Sequence, residues 1–219
     1  LRLGDPGEQV GELARSADAE SLVCDFDPLR IKRQWQNEAA ERITAPVDVV
    51  DAHNVVPCLQ ASDKQEFAAR TIRPRIQRRL DEFLTPFPEP AGQPAPPPGF
   101  ELGEPDWRTA ESALDLDTAA APVDWLAPGP SAGEERMRRF LQDGLGRFAD
   151  KRNDPNANAL SNLSPYFHFG QIAPQRVALE VWSRESAPSE AKSAYLEEMI
   201  IRRELSDNFC FHNTAYDAF

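Results

Sequence analysis

Ser21-Leu-Val-Cys-Asp-Phe-Asp-Pro28 and Val47-Asp-Val-Val-Asp-Ala-His-Asn54 bracket the stretch that decides how the chain begins to fold. Each is a short apolar run that stops at an aspartate, the pattern of a buried strand feeding a loop. Between them, Leu29 to Ile43 reads as a helix, with Ile31, Trp35 and Ala39 four apart on one face. Parallel strands cannot be joined by a tight turn and need a crossover of this length. Strand, helix, strand therefore predicts a parallel, doubly wound α/β sheet. Ligands of such sheets lie at the carboxyl ends of the strands, which makes Asp25, Asp27, His53 and Asn54 candidates. Strand termination and helix capping call for the same residue types.

Working outward, Ser62 to Phe83 reads as a second helix, capped by Ser62 or Asp63 with Gln65 or Glu66 completing a capping box. Arg70, Arg73, Arg75, Arg78 and Arg79 give it a basic side, either a solvated face or a phosphate contact. Residues 84–130 hold 11 of the chain's 20 prolines, including Pro96-Pro-Pro98, and read as an extended connector that Trp107 and Trp125 pin down. From Gly133 the period turns helical. Met137, Phe140, Leu141, Leu145 and Phe148 form one stripe that Asp154-Pro155 stops. Two more helices are predicted, from Ile172 to about Ser186 and from Glu190 to about Phe209, the last with Tyr195, Met199 and Phe209 on its apolar side.

Composition sets limits. With 41% hydrophobic and 27% charged residues, 219 residues support a packed core in one large or two small domains. No apolar run is long enough to span a membrane. No signal peptide is visible, and Leu1-Arg-Leu-Gly4 reads as the middle of a fold. Cys24, Cys58 and Cys210 are scattered, without metal-ligand spacing, and point to a reducing cytoplasm. Net charge is −12, yet residues 131–219 carry 13 acids against 11 bases, so a local basic face can still meet phosphates. No Gly-rich phosphate loop and no GxSxG elbow appears. His168, between Phe167 and Phe169, reads as a core histidine rather than a base.

The densest local signal is Ala159-Leu-Ser-Asn-Leu-Ser-Pro-Tyr-Phe-His-Phe-Gly170. Ser161 and Ser164 stand one helical turn apart, Ser164 suits an N-cap, and Pro165 suits the first turn. Two readings stay open. The segment is a phosphate cradle of hydroxyls and unused backbone donors, or a capped helix that buries Tyr166, Phe167 and Phe169.

Leu160-Ser-Asn-Leu-Ser-Pro-Tyr-Phe-His-Phe-Gly170 resembles the flavin-binding signature of the photolyase/cryptochrome family. Val23-Cys-Asp-Phe-Asp-Pro-Leu-Arg30, Val50-Asp-Ala-His-Asn-Val-Val-Pro57 and Glu197-Glu-Met-Ile-Ile-Arg-Arg-Glu-Leu-Ser-Asp-Asn-Phe-Cys210 agree, and agree best with class II cyclobutane pyrimidine dimer photolyases. The resemblance implies an internal fragment of a longer enzyme. Residues 1–83 would be the remnant of a Rossmann-like antenna domain, 84–132 an interdomain linker, and 133–219 the start of an all-helical FAD-binding domain. It implies light-driven splitting of cyclobutane pyrimidine dimers in DNA by an electron from reduced FAD, in a monomer, with a possible second chromophore, a deazaflavin or a folate. A cryptochrome-like photoreceptor and a DNA-binding relative that has lost flavin are the alternatives. The isolated piece is expected to bind FAD weakly or not at all, and not to repair.

The resemblance also distributes roles. Ser161, Leu163 and Ser164 would hold the phosphate and ribityl region of FAD, with Asn162 where relatives carry a basic residue. Phe148 falls where relatives place a tyrosine that touches the flavin phosphate, and its hydroxyl is missing; a core phenylalanine fits equally well. Arg203 would sit on the cofactor side or pair with Glu204. Arg152 would approach the lesion and the DNA backbone, and Glu198 would contact the damaged pyrimidines. Arg202 stands where many photolyases place a tryptophan, and it would meet DNA together with Glu204.

Overall fold

A computed structural model describes residues 1–89, 91–92, 103–114, 117, 119 and 121–218. The chain divides into two compact units, residues 1–50 with 88–124, and residues 51–87 with 125–219.

The first unit carries helix α1 (Pro6–Ser16), strand β1 (Leu22–Asp25), helix α2 (Arg30–Glu41) and strand β2 (Val47–Val50). The strands pair in parallel, Leu22 opposite Val47 and Asp25 opposite Val50, as the crossover requires. This is the α/β arrangement expected from the sequence. Asp27 accepts the Leu29 N–H at 2.9 Å and so turns the chain into α2. Helix α1 was not foreseen, although Asp5 caps it by accepting the Glu8 N–H at 3.0 Å and Pro6 opens it. It lies close on α2 because Gly7 and Gly11 present no Cβ. One added at Gly7 would stand 2.9 Å from the Trp35 carbonyl oxygen. Val23, Val49 and Val50 remain exposed on the sheet.

The connector is less featureless than its prolines suggest. Helix α6 (Trp107–Ala113) follows short helices α3 (Cys58–Ala61), α4 (Ala69–Gln77) and α5 (Leu80–Phe83) in chain order. Asp106 caps α6 through the Thr109 N–H and hydroxyl. Trp107 and Trp125 are each 63% exposed, so neither pins the segment. Pro96-Pro-Pro98 lies outside the described residues.

The second unit is helical. Helix α7 (Pro130–Arg139) runs through a π-helical turn at Phe140–Gly144 into α8 (Leu145–Lys151). Then come α9 (Ser164–His168), α10 (Pro174–Trp182) and α11 (Ser189–Leu196), which continues through a second π turn at Glu197–Arg202 into α12 (Arg203–His212). The whole predicted stripe from Met137 to Phe148 is buried, in one core with Ile72, Ile76, Leu163, Tyr166, Val177 and Ile200. Each such fully buried aliphatic side chain stabilises the fold by about 1.5–3 kcal/mol.

Four expectations change. The boundary placed after residue 83 moves, because Val55, Val56, Ile72 and Ile76 share the helical core, so residues 51–87 pack with that unit. The helix from Ser62 is shorter and split. Ser62 does not cap it but donates its hydroxyl to buried Glu66 at 2.8 Å, and Asn208 of α12 accepts the Glu66 N–H at 2.7 Å. Those tertiary bonds hold 62–68 as a loop and delay α4 to Ala69. Ser164 is the first helical residue of α9 and Leu163 occupies the cap position, without a side-chain cap bond. Finally, only Tyr166 of the aromatic group is core. Phe167 is half-buried, His168 is exposed, and Phe169 is 71% exposed with its ring edge-on to His168.

Candidate flavin and DNA site

The second π turn organises the site. It carries Glu197 and Glu198, adjacent residues that a helix points in different directions, and the structure gives them separate partners. Glu197 takes the Arg73 guanidinium in a two-point fork, at 2.6 and 2.9 Å. That fork, followed by partial desolvation working the other way, holds the Glu197 carboxyl below its ordinary range. Glu198 is left to Arg202, 3.3 Å away one turn on, and to Arg152, 3.9 Å away at the end of α8. Arg152, Glu198 and Arg202 thus meet in one partly exposed cluster with two cations to one anion.

Aromatic packing fixes where Arg152 stands. Phe148 is buried and sits edge-on to Tyr195 with ring centres 5.1 Å apart, and the Arg152 guanidinium lies 5.8 Å from the Phe148 ring. Phe148 is therefore a core residue that positions its neighbour. Tyr195 carries the connection further. Burial pushes the Tyr195 hydroxyl up to about 12, against a smaller lowering by the neighbouring Ser161 side chain, so it stays a neutral polar group beside Ser161. One turn before Glu198, Tyr195 ties the Arg152–Glu198–Arg202 cluster to the Ser161 segment. The sequence showed it only as an apolar-face residue; its polar end was the overlooked signal.

In that segment Ser161 Oγ accepts the Leu163 N–H at 3.4 Å, and the Ser161 carbonyl accepts from Arg136 Nε at 3.0 Å. Asn162 adopts φ +52°, a left-handed conformation that asparagine tolerates. Leu163 is fully buried, so only its backbone faces the polar groups. Ser164 is exposed and forms no side-chain cap bond. The segment is a turn rather than a helix, so Ser161 and Ser164 do not share a helical face.

Arg203 and Glu204 serve a different purpose. Arg203 donates to the Met199 carbonyl at 3.1 Å and the His53 carbonyl at 2.9 Å. Glu204 is 2% exposed and accepts the Val55 and Val56 N–H groups at 2.7 and 3.3 Å. Burial pushes its carboxyl up to about 8, against the pull of Arg203 and those two N–H groups. A carboxyl this buried cannot meet DNA, which corrects its expected role. Of the strand-end candidates, Asn54 donates to Asp51, which also accepts the Cys58 N–H, and His53 Nε2 lies 3.1 Å from Asp207. Of the basic stripe, Arg73, Arg75 and Arg79 pair with Glu197, Glu66 and Glu82. No cluster suited to a metal ion occurs among the described residues, and no helix there is long and apolar enough to cross a membrane.

Comparison with known proteins converges on one family. The sequence model of DNA photolyase matches residues 1–91. The deoxyribodipyrimidine photo-lyase of Potorous tridactylus is 40% identical over 219 residues, covering 99% of this chain and 41% of that protein. The enzymes of the same name from Arabidopsis thaliana and Methanothermobacter thermautotrophicus are 38% and 36% identical, with 46% and 43% of their lengths covered. The chain spans less than half the length of these relatives. A Synechocystis cryptochrome superposes with a TM-score of 0.73 at 15% identity, over 95% of this chain and 45% of its own. An Agrobacterium tumefaciens class III photolyase gives 0.67 at 17%, over 99% and 48%. These two likenesses bear on the fold alone. Residues 1–91 carry the family's domain, and 36–40% identity along nearly the whole chain makes it similar to part of three deoxyribodipyrimidine photo-lyases.

Proposed function

We propose that the intact protein is a class II deoxyribodipyrimidine photo-lyase, which uses light to split cyclobutane pyrimidine dimers in DNA. The observation that carries this reading is the Arg152–Glu198–Arg202 cluster, in a chain 40% identical to an enzyme of that name. Arg152 and Arg202 offer planar forks that suit phosphate oxygens. Glu198, held between them and 40% exposed at its side chain, can turn a carboxylate to the polar edges of a flipped base pair. Taking a dimer out of the stack costs less than taking an intact pair, which favours the lesion.

The polar groups present suit the phosphate and ribityl parts of FAD. Ser164 has an exposed hydroxyl with no cap bond, Asn162 presents a half-buried amide, and the Ser161–Leu163 turn supplies a hydroxyl beside a backbone N–H. These residues would hold the cofactor. Phe148, buried and without a hydroxyl, adds packing only, and Arg203 acts through the 53–56 segment. Bound there and reduced, FAD would supply the electron for the repair. The chain's part is to position the flipped bases with Glu198, grip flanking phosphates with Arg152 and Arg202, and exclude water from the site. We further propose a monomer in a reducing compartment such as the cytoplasm, with no disulfide among the described cysteines. The second chromophore, a deazaflavin or a folate, would belong to the α/β unit.

The test is an absorption spectrum of the intact protein, followed by illumination with dimer-containing DNA. Flavin bands with light-dependent loss of dimers are expected. Flavin without repair would turn the reading to a photoreceptor, and absence of flavin would sink it.

A further inference from the structure

Two cavities open side by side on α7, and both are lined by Arg136 and Arg139. One, of about 180 Å³, has a polar side formed with Arg147, Asp143 and Ser161 and an apolar side of Phe140 and Leu160. The other, of about 190 Å³, is walled by Trp125, Ala127, Ala132 and Tyr166. Each alone falls below the roughly 300 Å³ of an ordinary small-molecule pocket, so an occupant of that size has to use both.

The polar cavity is prepared for an anion. Arg136 donates through Nε to the Ser161 carbonyl at 3.0 Å, and Arg147 donates to the carbonyls of Asp143 and Asn158, each at 3.1 Å. Carbonyls fix a guanidinium without cancelling its charge, unlike the carboxylates that hold Arg73 and Arg75. Neither Arg136 nor Arg147 has a carboxylate within ion-pair distance among the described residues. Arg139 is paired with Glu135, which also borders the apolar cavity. The polar lining thus holds two uncompensated cations against Asp143. The apolar cavity is rigid on one side, because the Tyr166 hydroxyl donates to the Ala127 carbonyl at 2.6 Å and its ring packs on Gly133. Its other wall is Trp125, a large ring left 63% exposed.

We propose that the paired cavities bind a mononucleotide-type ligand, a flat aromatic base carrying a phosphate ester. The phosphate lies on Arg136 and Arg147, where two planar forks can meet it. The base lies against Trp125, whose face suits stacking. The site borders Ser161, which is also given to the flavin, but its anion contacts are Arg136 and Arg147, which the flavin reading does not use.

Calorimetric titration of the intact protein with AMP, adenosine and inorganic phosphate tests it. AMP is expected to bind saturably at one site, about tenfold or more tighter than either half-ligand, because both cavities contribute. Arg136→Gln, which can still donate to the Ser161 carbonyl, and Arg147→Gln, at an exposed position, should each weaken AMP by about tenfold through loss of a charge-assisted bond. Trp125→Ala should weaken AMP and adenosine and leave phosphate unchanged. No saturation at millimolar AMP overturns the proposal, as does AMP binding that survives Arg147→Gln in a variant of unaltered melting temperature. Release of flavin absorbance by AMP would place the nucleotide in the flavin site and overturn it as well.

Discussion

Glu204 shows how a single residue can look like surface and act as core. Its neighbours Arg202 and Arg203 suggest an exposed ion-pair cluster, yet its carboxyl receives two backbone donors from residues 55 and 56 and is 2% exposed. Burial raises it from an ordinary 4.5 to about 8 in the folded state. Between those values the folded chain holds a proton that the unfolded chain has released. The unfolded state therefore binds fewer protons, and stability falls as pH rises through this window, levelling off above it. Below about pH 4.5 the contribution is fully present. Urea unfolding at pH 5 and pH 8 checks this. Wild type should lose stability between the two, on the order of a few kcal/mol, and Glu204→Gln should lose distinctly less. Equal losses would show that Glu204 titrates normally. Its Oε2 and Arg203 Nη2 are buried without hydrogen-bond partners among the described residues, so Glu204→Gln leaves the two backbone donors served while removing the charge.

At the scale of elements, the approach of α1 to α2 depends on what two glycines lack. A Cβ at Gly7 would stand 2.6 Å from the Glu38 Cβ and 2.9 Å from a backbone oxygen, which cannot swing aside. Alanine gains about 1 kcal/mol of helix propensity over glycine, and overpacking of this kind costs about 1–3 kcal/mol. Gly7→Ala is accordingly expected to lower the melting temperature, despite being a better helix former; a rise would show that α1 shifts freely. The same scale shows what could be read in advance. The strands were legible because apolar runs ending in aspartate are a local signal, and the stripe from Met137 to Phe148 because its spacing is helical. The π turns were not, since one extra residue per turn at Phe140–Gly144 leaves that stripe on one face. The loop at 62–68 escaped for another reason. Ser62 with Gln65, or Asp63 with Glu66, fits a capping box locally, and only Asn208, 142 residues away from Glu66, reveals the competing bonds. In the candidate site the motif residues were legible, but Tyr195 as their connector and Arg73 as the partner of Glu197 depend on packing between distant helices.

For the whole molecule, the proposed function asks how a chain of net charge −12 would hold a polyanion. The long-range field opposes the encounter, so binding has to come from short-range contacts whose strength depends on displaced counterions. Acidic partners already occupy Arg73, Arg75 and Arg79. The Arg152–Glu198–Arg202 cluster keeps cationic charge in hand, because Glu198 is shared by two arginines at 3.9 and 3.3 Å and neutralises only part of their charge. Each arginine that grips a phosphate adds about 0.9 to the slope of log affinity against log salt on duplex DNA. Arg152→Ala and Arg202→Ala are thus expected to weaken binding of dimer-containing DNA and to flatten that slope by about one apiece. Glu198→Gln should act oppositely on the electrostatics, steepening or preserving the slope as it releases both guanidiniums, while lowering the preference for damaged over intact DNA because the carboxylate proposed to meet the lesion is gone. Fluorescence anisotropy over a series of salt concentrations, in the dark, separates these effects. If both arginine variants keep the wild-type slope, DNA lies on another face, and Glu198 between its two arginines is an ion-pair network that stabilises the joint of α8 with the π turn.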